Sequence, residues 1–208
     1  MTLTAQPWAV TGEMVTEAGR WEDLDEARIE AAIAVISMFN YFTRVADASG
    51  IEFDYQTPLP AFEPDLSQAP AMRPLPSAFS GGDAGRDRRR TRNQQLRAAW
   101  EKWRAYVMAA EKPINERERR LLAVVAAKES ADWEGVEALG GLAGVADGDE
   151  RLIGFARKLS RQPWTMQADD LATLRAAGYS EEALLHVISV VAHQNADSRL
   201  TIGLSAAR

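Results

Sequence analysis

Few residues in this chain can carry chemistry, and the missing types are as informative as those present. The chain has no cysteine and two histidines, His186 and His193. The lack of cysteine excludes disulfides, zinc–thiolate sites, iron–sulfur clusters and thiol nucleophiles. Asp197 follows His193 by one helical turn, a spacing at which a carboxylate can orient an imidazole and raise its pKa. His193 is therefore a candidate general base, although such pairs also serve as structural contacts.

Glu134 is the second candidate for proton transfer. It follows Trp133, and a carboxylate held against an aromatic face has its pKa raised toward neutral. Trp133 can equally serve in packing. The two histidines are seven residues apart, about 10 Å along a helix, which is too far to chelate one metal ion without a further ligand. We therefore expect no metal site and no bound cofactor.

Two Asn–Arg pairs have the same spacing in distant parts of the chain. Asn40 precedes Arg44, and Asn195 precedes Arg199, each by four residues and in line with aliphatic positions. A buried arginine needs hydrogen-bond partners, and an asparagine can supply them. These pairs therefore either join their helices to neighbours or hold an anionic substrate such as a small carboxylate.

The two pairs belong to segments that repeat at a constant offset. Aligned at 155 residues, the segments share five identities: Glu26/Glu181, Ile33/Ile188, Val35/Val190, Asn40/Asn195 and Arg44/Arg199. Both segments therefore have an aliphatic stripe followed by Asn and Arg on the same helical face. The chain thus contains a pseudo-repeated helix.

Helical spacing of apolar residues dominates the rest of the chain, and no segment shows convincing strand alternation. We therefore predict an all-α protein. The predicted helices are 26–48 after the N-cap Asp25 and before Gly50, 94–110, 116–129 after Asn115, 133–142, 149–160, 165–177 before Gly178, and 181–204 after Ser180.

Composition divides the chain into three parts. Residues 1–56 form an N-terminal helical segment, 57–92 a Pro/Gly/Arg-rich arm or linker, and 93–208 a helical domain. Because large apolar residues are spaced along the arm, we favour one packed in part against the helices. The arginine-rich stretch 86–97 lacks interleaved aromatic residues, which favours a solvated or subunit-bridging role over binding to a phosphate-rich polymer.

The first helix is expected to belong to the core of the C-terminal domain. An isolated helix cannot bury an apolar stripe by itself. We therefore predict that Ile29, Ile33 and Ile36 contact the C-terminal domain.

The net charge and the length of the apolar segments limit the classes to which this protein can belong. The 208 residues include 24 Lys and Arg against 30 Asp and Glu, a net charge of −6, which argues against nucleic acid or an anionic membrane as a partner. Uninterrupted apolar runs stop far short of the ~20 residues of a membrane-spanning helix, and the first residues lack a signal pattern. We predict a soluble, cytoplasmic protein.

The segment IAVISMFNYFTRVAD at 33–47, followed by Ser49-Gly50-Ile51, is similar to the closing helix of alkylhydroperoxidase D (AhpD)-like and carboxymuconolactone decarboxylase-like proteins, including their peroxidase-related group. The stretches FARKL, LRAAGYSEE and VVA near the C-terminus resemble the same family, and RER with LLA at 117–123 resembles the helix that leads into its active site. The similarity covers about 25–52 and 116–204. It implies an AhpD-like helical bundle that assembles as a homo-oligomer, from dimer to hexamer.

The sequence departs from this family at its catalytic positions. Redox members use a Glu, a Cys-x-x-Cys pair and a His, and an ungapped alignment places these at Arg120, Asp132, Gly135 and Leu139. A shifted alignment keeps only Glu134. The resemblance therefore implies the fold of a peroxidase-related protein without thiol peroxidase activity.

Two functions follow from this resemblance. The first is a family member without the redox cysteines that persists as a degenerate enzyme, or pseudoenzyme, as an oligomeric small-molecule binder, or as an oligomeric scaffold. The alternative is a cofactor-independent lyase or isomerase of carboxymuconolactone decarboxylase type that acts on a small carboxylate. In the alternative, the arginines hold the anion and His193 or Glu134 moves protons. That reaction requires His193 or Glu134 to line a concave pocket within reach of an arginine.

Overall fold

The computed structural model describes residues 2–21, 23–51, 91–109, 113–143, 145 and 149–207. Within these ranges the chain is all-helical, as predicted, and contains no strand. The α-helices are α1 (Thr2–Ala5), α2 (Gly12–Trp21), α3 (Glu26–Ser49), α4 (Gln94–Ala109), α5 (Glu116–Glu129), α6 (Trp133–Ala138), α7 (Glu150–Arg161), α8 (Ala168–Ala176) and α9 (Glu181–Ala206). Two short 3-10 helices span Pro7–Ala9 and Pro163–Thr165.

Capping residues begin the long helices where the sequence predicts. The side chain of Asp25 accepts a hydrogen bond from the Arg28 amide at the start of α3, and Ser180 accepts one from Ala183 at the start of α9. α5 begins with a capping box. These side chains satisfy backbone amides that have no partner within the first helical turn.

Two predicted boundaries are wrong. α6 ends at Ala138 rather than near residue 142, because Gly140 and Gly141 adopt φ of 92° and 75°, outside the right-handed helical region. α8 begins at Ala168 rather than 165, because Pro163–Thr165 forms a separate 3-10 turn. The Asp170 carboxylate then accepts a hydrogen bond from the Gln167 amide at the start of α8.

The C-terminal helix α9 is the central element of the fold. Its middle turns are buried on nearly every side, and it packs against α3, α4, α5, α7 and α8. One apolar cluster lies mainly between α5, α7 and α9 and includes Leu122, Leu152 and Val187. A second cluster joins α1, α3 and α4 to α9 and includes Ile33 and Leu200. Burial of these side chains is the main favourable contribution to folding.

Helix α3 completes the core beside α9, as predicted, but with a different face. Ile33 is buried against Gly203 and Ile29 is half-buried, whereas Ile36 is 40% exposed and lies outside both apolar clusters. The buried face instead continues from Ile33 through Ser37, Asn40, Arg44 and Ala48. Much of this face is polar, so a search for aliphatic periodicity selects the adjacent face.

The opposite face of α3 is apolar and exposed at Val35, Phe39 and Phe42. Among the described residues, α3 is the one helix long and apolar enough to cross a membrane by length and composition. Its buried Asn40 and Arg44 contact the rest of the fold, which fits the core helix of a soluble protein. The cytoplasmic location remains a prediction.

The Pro/Gly/Arg-rich arm lies almost wholly outside the described residues. Its last two residues are described. Thr91 donates a hydrogen bond from Oγ1 to Glu30 Oε2 at 2.6 Å, and the Arg92 amide donates to the same oxygen at 2.9 Å. Arg92 also pairs with Glu26. The chain that enters α4 is therefore attached to α3 at this point.

The internal repeat is longer in the structure than in the predicted helix pair. Gln6-Pro7-Trp8 precedes α2 and Gln162-Pro163-Trp164 precedes α8, each within a 3-10 turn. Asp23 and Gly178 both have positive φ, of 49° and 97°, shortly before the N-caps of α3 and α9. The helices α1, α2 and α3 thus repeat, in this order, the arrangement of the last turn of α7, of α8 and of α9.

Candidate functional site

A cleft between α4, α6 and α9 is one concave site formed by the described residues. The space in it that water-sized molecules can occupy is about 60 Å³, and the cleft is partly open to solvent. We call it the α4–α6–α9 cleft. Its lining residues are Thr91, Arg97, Trp100, Glu101, Arg104, Asp132, Glu134, Gly135, Asp197, Leu200, Thr201 and Leu204. Buried apolar side chains and charged side chains therefore meet in one site.

Glu134 lies in this cleft, in the first turn of α6. A carboxylate is favoured near a helix N-terminus by the partial positive charge of the backbone amides. Arg97 and Arg104 line the same cleft. Glu134 thus lines the same concave site as two arginines, and the lyase reaction remains a prediction.

Asp132 is a buried carboxylate in the wall of the cleft. It was not among the catalytic residues predicted from the sequence. Its Oδ1 accepts a hydrogen bond from the Gly135 amide at 2.9 Å. Its Oδ2 accepts one from Ser198 Oγ at 2.8 Å, and Gln194 Nε2 donates to the same hydroxyl at 3.2 Å. Asp132 therefore caps α6 and fixes it to α9.

We expect Gly135→Ala to lower the free energy of unfolding by about 1–3 kcal/mol, the range for overpacked sites. A Cβ at this position would collide with the carboxylate of Asp132, which must then move away from its hydrogen bonds. Urea unfolding followed by circular dichroism measures the change. Gly154→Ala is the control, because nothing lies within contact distance of a Cβ there. An equally stable Gly135→Ala variant would contradict this account.

Asp197 contacts α4 rather than His193. Trp100 donates from Nε1 to Asp197 Oδ1 at 2.9 Å, and Arg104 Nη1 lies 3.5 Å from Asp197 Oδ2. Both ring nitrogens of His193 are buried without a hydrogen-bond partner among the described residues. The predicted His193–Asp197 hydrogen bond is therefore wrong, because the indole and guanidinium of α4 occupy the carboxylate.

His193 is a packing residue in this structure. It is 1% exposed and meets the Trp103 ring edge to face, with centroids 4.6 Å apart. Burial lowers the pKa of His193 to about 4, the Asp197 carboxylate opposes this shift, and the Arg104 guanidinium adds to it. His193 is thus neutral at pH 7 and does not line the cleft.

His186 occupies a separate environment near α5. Its Nδ1 lies 3.3 Å from Arg119 Nη2, and Arg119 Nη1 donates to the Val107 carbonyl at 2.6 Å. Burial and the Arg119 guanidinium lower the pKa of His186. No group of three His, Cys, Asp or Glu side chains able to hold a metal ion occurs in the described ranges.

The two Asn–Arg pairs meet in one buried network between α3 and α9. Arg44 Nη1 donates to Asn40 Oδ1 at 2.9 Å, and Arg199 Nη1 donates to Asn195 Oδ1 at 3.0 Å. Arg44 Nη2 also donates to the Ser160 carbonyl at 3.0 Å. The pairs therefore connect their helices to neighbouring segments, as the structural interpretation of the sequence predicts.

Thr4 and Ser160 occupy equivalent places in this network. Arg199 Nη2 donates to the Thr4 carbonyl at 2.8 Å, and Asn40 Nδ2 donates to Thr4 Oγ1 at 3.2 Å. Asn195 Nδ2 donates to Ser160 Oγ at 2.8 Å. In each repeat one residue, Thr4 or Ser160, accepts two hydrogen bonds. Its backbone carbonyl accepts one from an arginine, and its hydroxyl accepts one from an asparagine.

Comparisons of this chain with protein-family models, with curated proteins and with solved structures found no match. The all-helical fold therefore rests on the structure itself. The AhpD-like resemblance of the sequence stays a prediction.

Sequence reasoning missed Thr4 and Ser160, which hydrogen-bond to the Asn–Arg pairs, and Ser198, which donates to Asp132. A signal for the first two was present. Each lies two residues before a Gln-Pro-Trp tripeptide, and the two tripeptides are 156 residues apart, one more than the offset of the aligned helices. An alignment that allows one gap would have joined them to the repeat. No comparable signal indicates Ser198.

Proposed function

We propose that this protein is an AhpD-like small-molecule-binding protein without thiol chemistry, and that its ligand binds in the α4–α6–α9 cleft. The observation that carries the proposal is the convergence of Glu134 and two arginines on one cleft beside the buried Trp100. A concave site with an apolar surface and a few converging polar groups is the usual form of a small-molecule site.

The residues at the family's cysteine positions support binding rather than redox chemistry. Asp132 stands at the position of the first cysteine in the ungapped alignment, and its carboxylate is committed to hydrogen bonds with Gly135 and Ser198. Gly135 stands at the second position, where the Asp132 carboxylate leaves no space for a side chain. This arrangement is a stable structural substitute for a thiol pair.

Charge in the cleft favours a ligand with a cationic group on an apolar body. Two guanidiniums face four carboxylates in the cleft: Arg97 and Arg104 against Glu101, Asp132, Glu134 and Asp197. Arg97 is paired with Glu101 and Arg104 with Asp197, so the lining keeps a net negative charge. This charge attracts an ammonium group, and Trp100 offers an aromatic surface for the rest of the molecule.

The exposed apolar face of α3 supports the proposal of a homo-oligomer. Val35, Phe39 and Phe42 are 54%, 62% and 56% exposed along one side of the helix. Contiguous exposed apolar residues of this size are typical of protein interfaces. Native mass spectrometry of the purified protein measures the number of subunits and any mass bound without a covalent bond.

We expect the wild-type protein to bind phenethylamine more tightly than its matched anion, 3-phenylpropionate. Glu134→Gln should weaken phenethylamine binding by about tenfold, the size of one charge-assisted hydrogen bond. Saturation-transfer NMR and Trp fluorescence titrations measure both ligands. The side chain of Glu137 on the same helix is exposed and does not line the cleft, so Glu137→Gln should bind as wild type does.

A second variant tests the location of the ligand. Thr201→Trp places an indole in the cleft and should abolish binding of phenethylamine, whereas Thr173→Trp on the exposed surface of α8 should have no effect. Equal binding by Glu134→Gln, Glu137→Gln and Thr201→Trp would remove the cleft as the ligand site.

The lyase or isomerase remains a second candidate, favoured by the presence of Glu134 in the same cleft as Arg97 and Arg104. In this reaction an arginine holds the substrate carboxylate and Glu134 transfers the proton. The binding titration separates the two proposals: tighter binding of 3-phenylpropionate than of phenethylamine favours the carboxylate substrate of the second.

A further inference from the structure

A second cavity lies between the two repeats, away from the α4–α6–α9 cleft. The space in it that water-sized molecules can occupy is about 200 Å³, and both Arg44 and Arg199 line it. The other charged residues of its lining are Arg161 and Asp47. Arg161 is paired with Glu129. The two remaining guanidiniums therefore face one carboxylate, and the cavity keeps an excess of positive charge.

The two central arginines are buried without an ionic partner. Each is 3% exposed, and within the described ranges neither forms an ion pair. Their acceptors are backbone carbonyls, asparagine oxygens and the Ser130 hydroxyl. Burial of a charge is costly unless a group of opposite charge accompanies it.

The arginines also disfavour each other's charged form. Burial lowers the pKa of Arg199, and the nearby Arg44 guanidinium lowers it further. Burial lowers the pKa of Arg44 to about 10, a shift that Asp47 partly opposes. Burial raises the pKa of the Asp47 carboxyl, and the Arg44 guanidinium opposes this shift.

One donor in this network has no acceptor. Arg44 Nε is buried and makes no hydrogen bond to any described residue. The side-chain oxygens of the two asparagines already accept hydrogen bonds, Asn40 Oδ1 from Arg44 Nη1 and Asn195 Oδ1 from Arg199 Nη1. The protein thus supplies neutral acceptors to two guanidiniums and leaves both the net charge and one N–H donor unmatched.

We propose that the cavity between Arg44 and Arg199 binds a small oxyanion, a carboxylate or a phosphate. Such an anion supplies the missing negative charge, and guanidinium groups bind carboxylate and phosphate oxygens with matched geometry. Thr43 also lines the cavity and offers a hydroxyl group. The anion joins the two repeats at the point where α3 and α9 meet.

Stabilisation by anions tests the proposal. At constant ionic strength, replacing sodium chloride with sodium phosphate or sodium acetate should raise the melting temperature of the full chain. The expected rise is about 3–6 °C when the anion is at ten times its Kd. Broadening of the phosphate ³¹P line and saturation transfer to acetate report binding directly. A response to phosphate alone assigns a tetrahedral ligand, and a response to acetate assigns a carboxylate.

Replacement of Arg44 risks unfolding, so a matched pair at Thr43 is more informative. Thr43→Glu places a tethered carboxylate in the cavity, and it should raise the melting temperature in chloride and remove the response to added anions. Thr43→Gln has the same size without charge and should keep the response. Phosphate also stabilises folded proteins through exclusion from their surfaces, and that general effect is equal in the two variants.

Two results would overturn the proposal. One is an equal melting temperature in chloride, phosphate and acetate with no ³¹P broadening and no saturation transfer to acetate. The other is an undiminished anion response in Thr43→Glu. Neither depends on the α4–α6–α9 cleft, because Thr43 does not line it and Glu134→Gln leaves this cavity intact. Failure of the proposed function would thus leave this site unaffected.

Discussion

Replacing Asn195 with leucine is expected to lower the free energy of unfolding by about 3–4 kcal/mol. Asn195 is completely buried and its amide oxygen accepts a hydrogen bond from Arg199, while its nitrogen donates to Ser160 Oγ. Leucine has nearly the same volume but leaves a buried guanidinium N–H and a buried hydroxyl without these partners. A lost hydrogen bond to a charged group costs about 1.5–3 kcal/mol, and an unsatisfied neutral group adds about 1–3 kcal/mol.

The neighbouring residue provides the control. Gln194 is also a buried amide on α9, but its side chain donates only to the neutral Ser198 hydroxyl. Gln194→Leu should therefore cost about 1 kcal/mol. Urea unfolding followed by circular dichroism gives both values. An equal decrease in the free energy of unfolding for the two variants would show that the Asn195–Arg199 hydrogen bond contributes no more to stability than the Gln194–Ser198 bond.

The helices could be predicted from local sequence because their ends depend on nearby residues. The side chains of Asp25, Asn115 and Ser180 accept hydrogen bonds from amides three residues later, so the information is contained in one turn. The two boundary errors arose at glycines with positive φ and at a proline, where several turn conformations compete.

The buried face of α3 could not be selected from hydrophobicity. Ile36, Phe39 and Phe42 have the spacing of an apolar core stripe, yet they are exposed. The face that packs against α9 contains Asn40 and Arg44, whose hydrogen-bond partners Thr4 and Ser160 lie 36 and 116 residues away. Periodicity identifies two faces of a helix, and only the tertiary partners decide which is buried.

The candidate site shows the same division between local and distant information. Glu134 was found because its position beside Trp133 at a helix start is a local feature, and it lies in the cleft. The His193–Asp197 pair has suitable local spacing, but Trp100 on a helix 97 residues away binds the carboxylate. Spacing shows which contacts are possible, and competition from the rest of the fold decides which forms.

Lowering the pH from 7 to 4 is expected to destabilise the protein by about 3 kcal/mol through His193 alone. The pKa of His193 is about 4 in the folded protein because the imidazole is buried without partners, against 6.5 for an exposed histidine. The unfolded chain therefore binds a proton first as the pH falls. The stabilising contribution of the neutral imidazole is complete above about pH 6.5 and is lost as the pH falls to about 4.

His193→Leu removes this contribution while keeping a side chain of similar size. The difference in unfolding free energy between pH 7 and pH 4 should be about 3 kcal/mol smaller in the variant than in wild type. Asp197 and Arg104 remain in both proteins, so their titration cancels in this comparison to first order. His186→Gln is the control, and it should retain the part of the pH dependence that belongs to His193.

An NMR titration of the two imidazoles tests the cause directly. Since the chain has only two histidines, the resonance absent from His193→Leu belongs to His193. A pKa of about 4 for that resonance, together with the reduced pH dependence of His193→Leu, would establish burial as the cause. A pKa near 6.5 would mean that the imidazole reaches water or a carboxylate in solution. In that case its exclusion from proton transfer would have to be withdrawn, because an accessible His193 near Asp197 has the properties of a general base.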